Sequence, residues 1–328
     1  MKQRTFGREE RRVSEIGFGA WAIGGAWGDV SSQDAKAALH AALDEGVTFL
    51  DTADSYGDGR SEQLIAEVLR ERGGTRPLVA TKIGRRLTPH VAEGYNQENL
   101  TAFVERSLRN LQTDALDLVQ LHCPPPAVYY QPEVFDVMDR LVTAGKVQAY
   151  GVSVEKVEEG LKAIEFPNVQ SIQIVFNVFR QRPAALFFDE ARRRNIGVIA
   201  RVPLASGLLT GKMSANSSFA ADDHRSFNRN GEAFDKGETF AGVPYEIALA
   251  AIEDIRRLIP AGATMAQLAL RWILMNPAVS TVIPGARSAT QAKANSSSSD
   301  LPPLSAETMH ALSEIYIHRI AAYVHQRW

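Results

Sequence analysis

Six polar residues each stand at or near the end of a short, mostly apolar run: Asp51 in VTFLD, Lys82 in PLVATK, His122 in LDLVQLH, Ser153 in VQAYGVS, Gln173 in SIQIVF and Arg201 in IGVIARV. A carboxylate, an ammonium and an imidazole at successive run ends point to one polar site. Five residues past Asp51 the Gly-rich stretch TADSYGDGRSE carries Tyr56, which that loop can return towards the same place. A phenol beside an ammonium serves proton transfer. The positive charge favours tyrosinate and is expected to lower the phenol pKa towards working pH, while Asp51 holds the lysine. His122 can orient a substrate oxygen. Together the four describe a general acid for a developing alkoxide.

Taken singly, each residue has a plainer explanation. Asp51 could cap a turn, Lys82 could snorkel to solvent, His122 could sit satisfied in a core and Tyr56 could be a surface aromatic. Their joint occurrence favours chemistry. Other chemistries have less support. The seven histidines are scattered without an HExxH pair, so no metal site is expected. No G-x-S-x-G elbow is present, and no tyrosine has a lysine four residues on. Gly17-Phe18-Gly19-Ala20-Trp21-Ala22 satisfies G-x-G-x-x-[GA], but the following IGGAWGD cannot open the helix a dinucleotide fingerprint needs. Cys123 reads as a small wall residue.

Elements of two kinds must position these groups. The run ends belong to eight candidate strands at 47–51, 77–82, 116–122, 147–153, 171–176, 196–202 and 279–285, with a weaker one at 14–19. Amphipathic stretches such as SQDAKAALHAALDEG, NQENLTAFVERSLRNL and PEVFDVMDRLVTAGK lie between them. Strand and helix alternating eight times predict a parallel sheet buried on both faces, closed as a (β/α)8 TIM barrel over 1–328 as a single domain. Its chemistry belongs at the strand C-termini. Two segments break the rhythm. Residues 212–243, after the seventh barrel strand, are polar, rich in Gly and Ser, and carry Phe219, Phe227, Phe234 and Phe240, which suits a lid or substrate loop. Residues 296–305, SSSSDLPPLS, read as a linker into a last helix, so 296–328 is expected to be linker plus helix.

Composition narrows the class. Of 328 residues, 45% are hydrophobic and 23% charged, enough for a large core. A net charge of −2 offers no footprint for nucleic acid. One cysteine rules out an internal disulfide framework and fits a reducing compartment. The start, MKQRTFGREERR, lacks the apolar stretch of a secretory signal, and no segment has roughly 18 uninterrupted apolar residues. The expectation is a soluble, cytoplasmic protein, with no membrane partner and with its oligomeric state open.

FLDTADSYGDGRSE, the ATK ending at Lys82 and LVQLHCP around His122 resemble the catalytic signatures of the aldo-keto reductases in order and spacing. GVSVEK, VQSIQIVFN, VPLASGLLTGK and VIPGARSATQAKAN resemble the family's cofactor segments. LASGLLTGK and IPGA-x4-Q-x3-N look nearest to the branch containing potassium-channel β subunits and bacterial general reductases. The resemblance implies a (β/α)8 barrel with an N-terminal hairpin, and NADPH bound without a Rossmann fold. It makes Tyr56 the proton donor, Lys82 and Asp51 its tuning pair, and His122 the substrate-orienting partner. It gives Ser153 and Gln173 to the carboxamide, and Pro203, Leu204, Ser206, Gly207, Leu209 and Lys212 to the pyrophosphate strip. Gly285, Arg287, Gln291 and Asn295 fall at the adenosine end, and Gly19, Ala20 and Trp21 border the cofactor. Where many members stack an aromatic on the nicotinamide, this chain has Arg201, whose charge is expected to disfavour the oxidised ring. Val154 and Ala294 depart from residues common in the family.

The activity so implied is NADPH-dependent reduction of an aldehyde or ketone. Two alternatives stay open. One is a sugar or polyol dehydrogenase running the same tetrad in the oxidative direction. The other is a cofactor-binding regulatory or sensor subunit with slow turnover.

Overall fold

A computed structural model describes residues 1–25, 27–28 and 30–328. The β-branched runs form β3 (Phe18–Gly19), β4 (Phe49–Asp51), β5 (Leu78–Ile83), β6 (Leu118–His122), β7 (Tyr150–Ser153), β8 (Val169–Val175), β9 (Gly197–Arg201) and β10 (Val279–Val282). They lie side by side in chain order, every pairing parallel. Parallel bridges from Ile16 to Val282 and from Gly19 to Gly285 bring the first and last strands together and nearly close the barrel. β4, β6, β7, β9 and β10 are buried at every position, as strands covered on both faces must be. The hairpin of β1 (Gln3–Phe6) and β2 (Arg11–Ser14) pairs antiparallel. Its Phe6 and Val13 join Phe49, Ala80, Leu118 and Ile199 in a separate apolar cluster.

Helices α1 (Ser32–Asp44), α2 (Arg60–Arg72), α3 (Gln97–Leu111), α4 (Pro132–Thr143), α5 (Val157–Ala163) and α6 (Phe187–Arg193) alternate with the strands. α7 (Tyr245–Arg256) and α8 (Met265–Leu274) separate β9 from β10, and α9 (Ala289–Ser296) follows the last strand. Local signals set their starts. Asn96 caps α3 through the Asn99 amide, and Thr264 and Gln267 form a capping box on α8.

Two expectations need revision. Of the weak run 14–19 only Phe18–Gly19 pairs as a strand, because Ser14 ends the hairpin. The serine run is not a loose linker. Ser296 ends α9, Ser297–Ser299 form a 3₁₀ turn, and Ser298 and Ser299 are fully buried. Ser299 donates to Glu15 Oε1 at 2.8 Å, which lets a hydroxyl enter the interior. The last helix, α10 (Ala306–Ile315), continues through a π turn at Tyr316–Ile320 to a final helical turn at Ala321–Val324.

The long polar segment 212–243 is also more ordered than its composition implies. It holds a helical turn at His224–Phe227 and 3₁₀ turns at Lys236–Glu238 and Phe240–Gly242, with Glu238, Thr239 and Phe240 buried. Trp328 fastens it from the other end of the chain. The indole donates to Asp235 Oδ1 at 2.8 Å, and the Trp328 carbonyl accepts from Arg182 at 2.8 Å. The Arg180 guanidinium lies 4.3 Å from the ring centre. A Cβ on Gly242 would come within 2.6 Å of the indole, so this position stays bare.

Candidate active site

Because every strand runs the same way, the six polar run ends meet at one mouth. Asp51, His122, Ser153 and Arg201 are the last residues of β4, β6, β7 and β9, and all are buried. Lys82 is 1% exposed, so its ammonium must be answered by protein atoms. It donates to Asp51 Oδ2 at 2.7 Å, to the Thr52 carbonyl at 2.8 Å and to the Tyr56 hydroxyl at 3.1 Å. The loop after β4 returns Tyr56 as expected. The Asp54 amide donates to the Lys82 carbonyl, and the Thr52 hydroxyl bonds Ser61 at 2.7 Å, fixing both ends of the turn. His122 stands edge-on to Tyr56 with ring centroids 5.9 Å apart.

The electrostatics differ from the sequence expectation at one point. Burial holds the Tyr56 phenol above its ordinary pKa, and Lys82 only partly opposes it, so the expected lowering does not occur. Tyr56 therefore stays protonated. Burial works against the Lys82 ammonium, but Asp51 and Tyr56 more than offset it and raise its pKa. Burial, then Arg85 and Lys82, hold His122 well below its usual value, so its imidazole is neutral. Burial raises the Cys123 thiol away from the thiolate, which agrees with a wall residue.

Gln173 turns inward and donates to Asp51 Oδ1 at 2.7 Å. Ser153 Oγ lies 3.5 Å from Cys123 Sγ. Arg201 departs from the sequence picture. It donates to Glu155 Oε2 at 2.7 Å and to the Val154 carbonyl at 3.0 Å, and approaches Glu238 Oε2 at 3.5 Å. Its charge is answered by carboxylates, so the expected bare cation beside a nicotinamide is not what the site holds.

Around this mouth, Gly19 bridges to Gly285, the Ala20 amide donates to the Asp51 backbone carbonyl, and Trp21 stacks on Tyr56 at 6.0 Å. Pro203, Leu204 and Gly207 lie in the strained turn after β9, where Val202, Ala205, Ser206 and Gly207 all have positive φ. Ser206 and Leu209 do not present side chains outward. Leu209 is fully buried, and Ser206 Oγ donates to the Glu238 carbonyl and accepts from the Phe240 amide. Lys212 is exposed just beyond. A second group gathers where α9 begins. Ser288 caps the helix, Gln291 accepts from the Arg287 amide, and Asn295 donates to the Gly285 carbonyl. The exposed Arg287 guanidinium donates to the Trp27 carbonyl at 2.9 Å.

Sequence reasoning missed four residues here. Gln120 donates to Asp51 Oδ1 at 3.3 Å and accepts from Gln173. A glutamine inside an otherwise apolar strand run was its only signal. Arg85, Glu155 and Glu238 carry the ion pairs beside His122. They come from three different loops and share no spacing.

A buried phenol, a lysine–aspartate pair and an imidazole thus stand together at the C-terminal mouth of a (β/α)8 barrel, the end at which such barrels carry their chemistry. The chain belongs to the aldo/keto reductase family, whose model matches residues 15–317. It is 33% identical over 291 residues to the aldo-keto reductase YhdN of Bacillus subtilis, covering 86% of this chain and 84% of that one. A probable voltage-gated potassium channel subunit beta of Arabidopsis thaliana is 29% identical, with 93% of each chain covered. The branch read from the sequence is thus represented among its relatives. In structure it resembles a glycerol dehydrogenase from Gluconobacter oxydans, with TM-score 0.78, 28% identity, and 98% and 96% of the two chains covered. It also resembles a Klebsiella pneumoniae aldo/keto reductase in complex with NADP and acetate, with TM-score 0.70, 25% identity, and 96% and 95% covered. Among the described residues, no helix is long and apolar enough to cross a membrane.

Proposed function

We propose that this protein reduces an aldehyde or ketone to the alcohol with NADPH, with Tyr56 giving the proton. One observation carries the reading: a buried phenol 3.1 Å from a lysine that is itself 2.7 Å from a carboxylate. Lys82 stabilises the tyrosinate left after proton transfer, Asp51 keeps the lysine charged and oriented, and neutral His122 donates to the substrate oxygen.

The donor set fits NADP(H). His122 Nδ1 and Arg201 Nε are buried at the mouth without hydrogen-bond partners, and Arg287 and Lys293 are exposed on either side of the start of α9. When bound, the cofactor supplies the hydride. Ser153 and Gln173 would hold its carboxamide, and the backbone of 203–209 with Lys212 would cover its pyrophosphate. Arg287 would meet the 2′-phosphate by a charge-assisted bond that NADH cannot make. Residues 212–243 serve as the lid.

The Tyr56→Phe variant tests the reading. Loss of the phenol is expected to lower kcat by roughly 10²–10⁴ while leaving NADPH affinity nearly intact, since the proton moves only during chemistry. A variant retaining near-native kcat overturns the assignment. A second direction has its own support. Glu155 and Glu238 answer Arg201, so the site does not penalise an oxidised ring as a bare guanidinium would, and the resemblance to a glycerol dehydrogenase points the same way. Rates on carbonyl and polyol panels with NADPH and NADP⁺ separate the two directions. No turnover in either would leave the regulatory role.

A further inference from the structure

Arg85 lies beside the proton-transfer tetrad without being one of its members. This residue follows β5 through Gly84, whose φ of +104° lets the chain turn and where a Cβ would stand 2.7 Å from the Tyr95 ring. There Arg85 Nη1 lies 3.5 Å from His122 Nε2, and Nη2 donates to Glu238 Oε1 at 2.8 Å. We propose that Arg85 is the receptor for an anionic substituent, so that the preferred substrates are short carbonyl compounds carrying a carboxylate or phosphate near the carbonyl carbon. This names the substrate class of the reductase reading above and rests on it.

Charge and access support the assignment. Arg85 and Arg201 face two carboxylates, Glu155 and Glu238, whose oxygens approach within 4.8 Å of each other. Two buried carboxylates so close raise one another's proton affinity. Burial and then Glu238 push Glu155 up to about 8, against the pull of Arg201, while the two arginines hold Glu238 low despite its burial. Arg85 shares these carboxylates with Arg201, and Lys82 is taken up by Asp51, so Arg85 is the guanidinium placed to meet a solute's charge. The Arg85 side chain is 22% exposed against 8% for Arg201, so a solute reaches Arg85 first.

Geometry sets the size. An oxygen hydrogen-bonded to His122 and another bonded to Arg85, at ordinary bond lengths from nitrogens 3.5 Å apart, are separated by about 9 Å at most. That spans 2-oxo acids up to semialdehydes of a few carbons. A carboxylate there completes the guanidinium's fork in the way Arg recognises oxyanions.

Matched pairs test this at constant ionic strength: succinic semialdehyde against butyraldehyde, and glyceraldehyde 3-phosphate against glyceraldehyde, each with NADPH. The anionic member of at least one pair is expected to show a kcat/KM higher by about tenfold or more, the usual worth of a charge-assisted bond. The pair that responds identifies carboxylate or phosphate. Arg85→Met should bring the ratio near one, whereas Glu238→Gln, which frees the guanidinium, should raise it. A merely structural role moves both variants downward. Titration of inert succinate and inorganic phosphate into the NADP⁺ complex, followed by tryptophan fluorescence, reads the same signs without turnover. If no carbonyl is reduced, the reductase reading fails, yet the titration still decides this one. Equal ratios in wild type and Arg85→Met, or variants that shift together, overturn it.

Discussion

At Arg201 a guanidinium is fixed between Glu155 and Glu238, with all three side chains almost fully enclosed. Removing one member of such a set leaves an uncompensated buried charge, which typically costs roughly 3–5 kcal/mol. Arg201→Met is therefore expected to lower unfolding stability by an amount of that order, read from denaturant melts. The dissociation constants for NADPH and NADP⁺ should move together in this variant. A large change in their ratio with unchanged stability would return Arg201 to the role of a bare cation beside the ring.

The turn between β4 and α2 positions Tyr56, and Asp54 lies buried within it. Burial, reinforced by Glu62, pushes its carboxyl up to about 7, with Arg86 and Arg106 pulling the other way. An acid whose folded pKa exceeds its unfolded value binds its proton more tightly in the folded state. Its contribution is then present at low pH and is lost as pH rises from about 4 through about 7, by about 4 kcal/mol in full. Asp54→Asn should accordingly stabilise the protein at pH 8 and do little at pH 4, as thermal melts at both values would show. Equal shifts at both pH values would count against it. The same element shows what a sequence can convey. Asp51, Lys82 and His122 were legible because each closes an apolar strand run, and a parallel barrel sends every such end to one face. The Tyr56 turn was legible from its glycines. Arg85, Glu155 and Glu238 were not, because loops with no period bring them together. The serine run misled for a related reason: polar side chains read as solvent-facing until a buried partner such as Glu15 accounts for them.

On the scale of the whole molecule, the two ends of the chain do opposite work. The N-terminal hairpin places Phe6 against Phe49, with ring centroids 5.4 Å apart, in the small apolar cluster. At the other end, Trp328 reaches the segment that carries Glu238. Fastening through Asp235 on one side and Gly242 on the other means that this segment cannot leave the barrel mouth as an independent flap. Its amides at 236–243 should exchange with solvent in the same cooperative opening as those of 321–328, more slowly than those of the exposed stretch 214–222. Trp328→Ala should divide that unit, speeding exchange at 236–243 while leaving the strand amides of β4–β9 protected. Uniform acceleration across the strands would instead assign Trp328 to global stability. If the unit is shared, the rate at which the mouth is exposed is set by melting at the far end of the chain, and residues 93 positions apart in sequence share one local unfolding free energy.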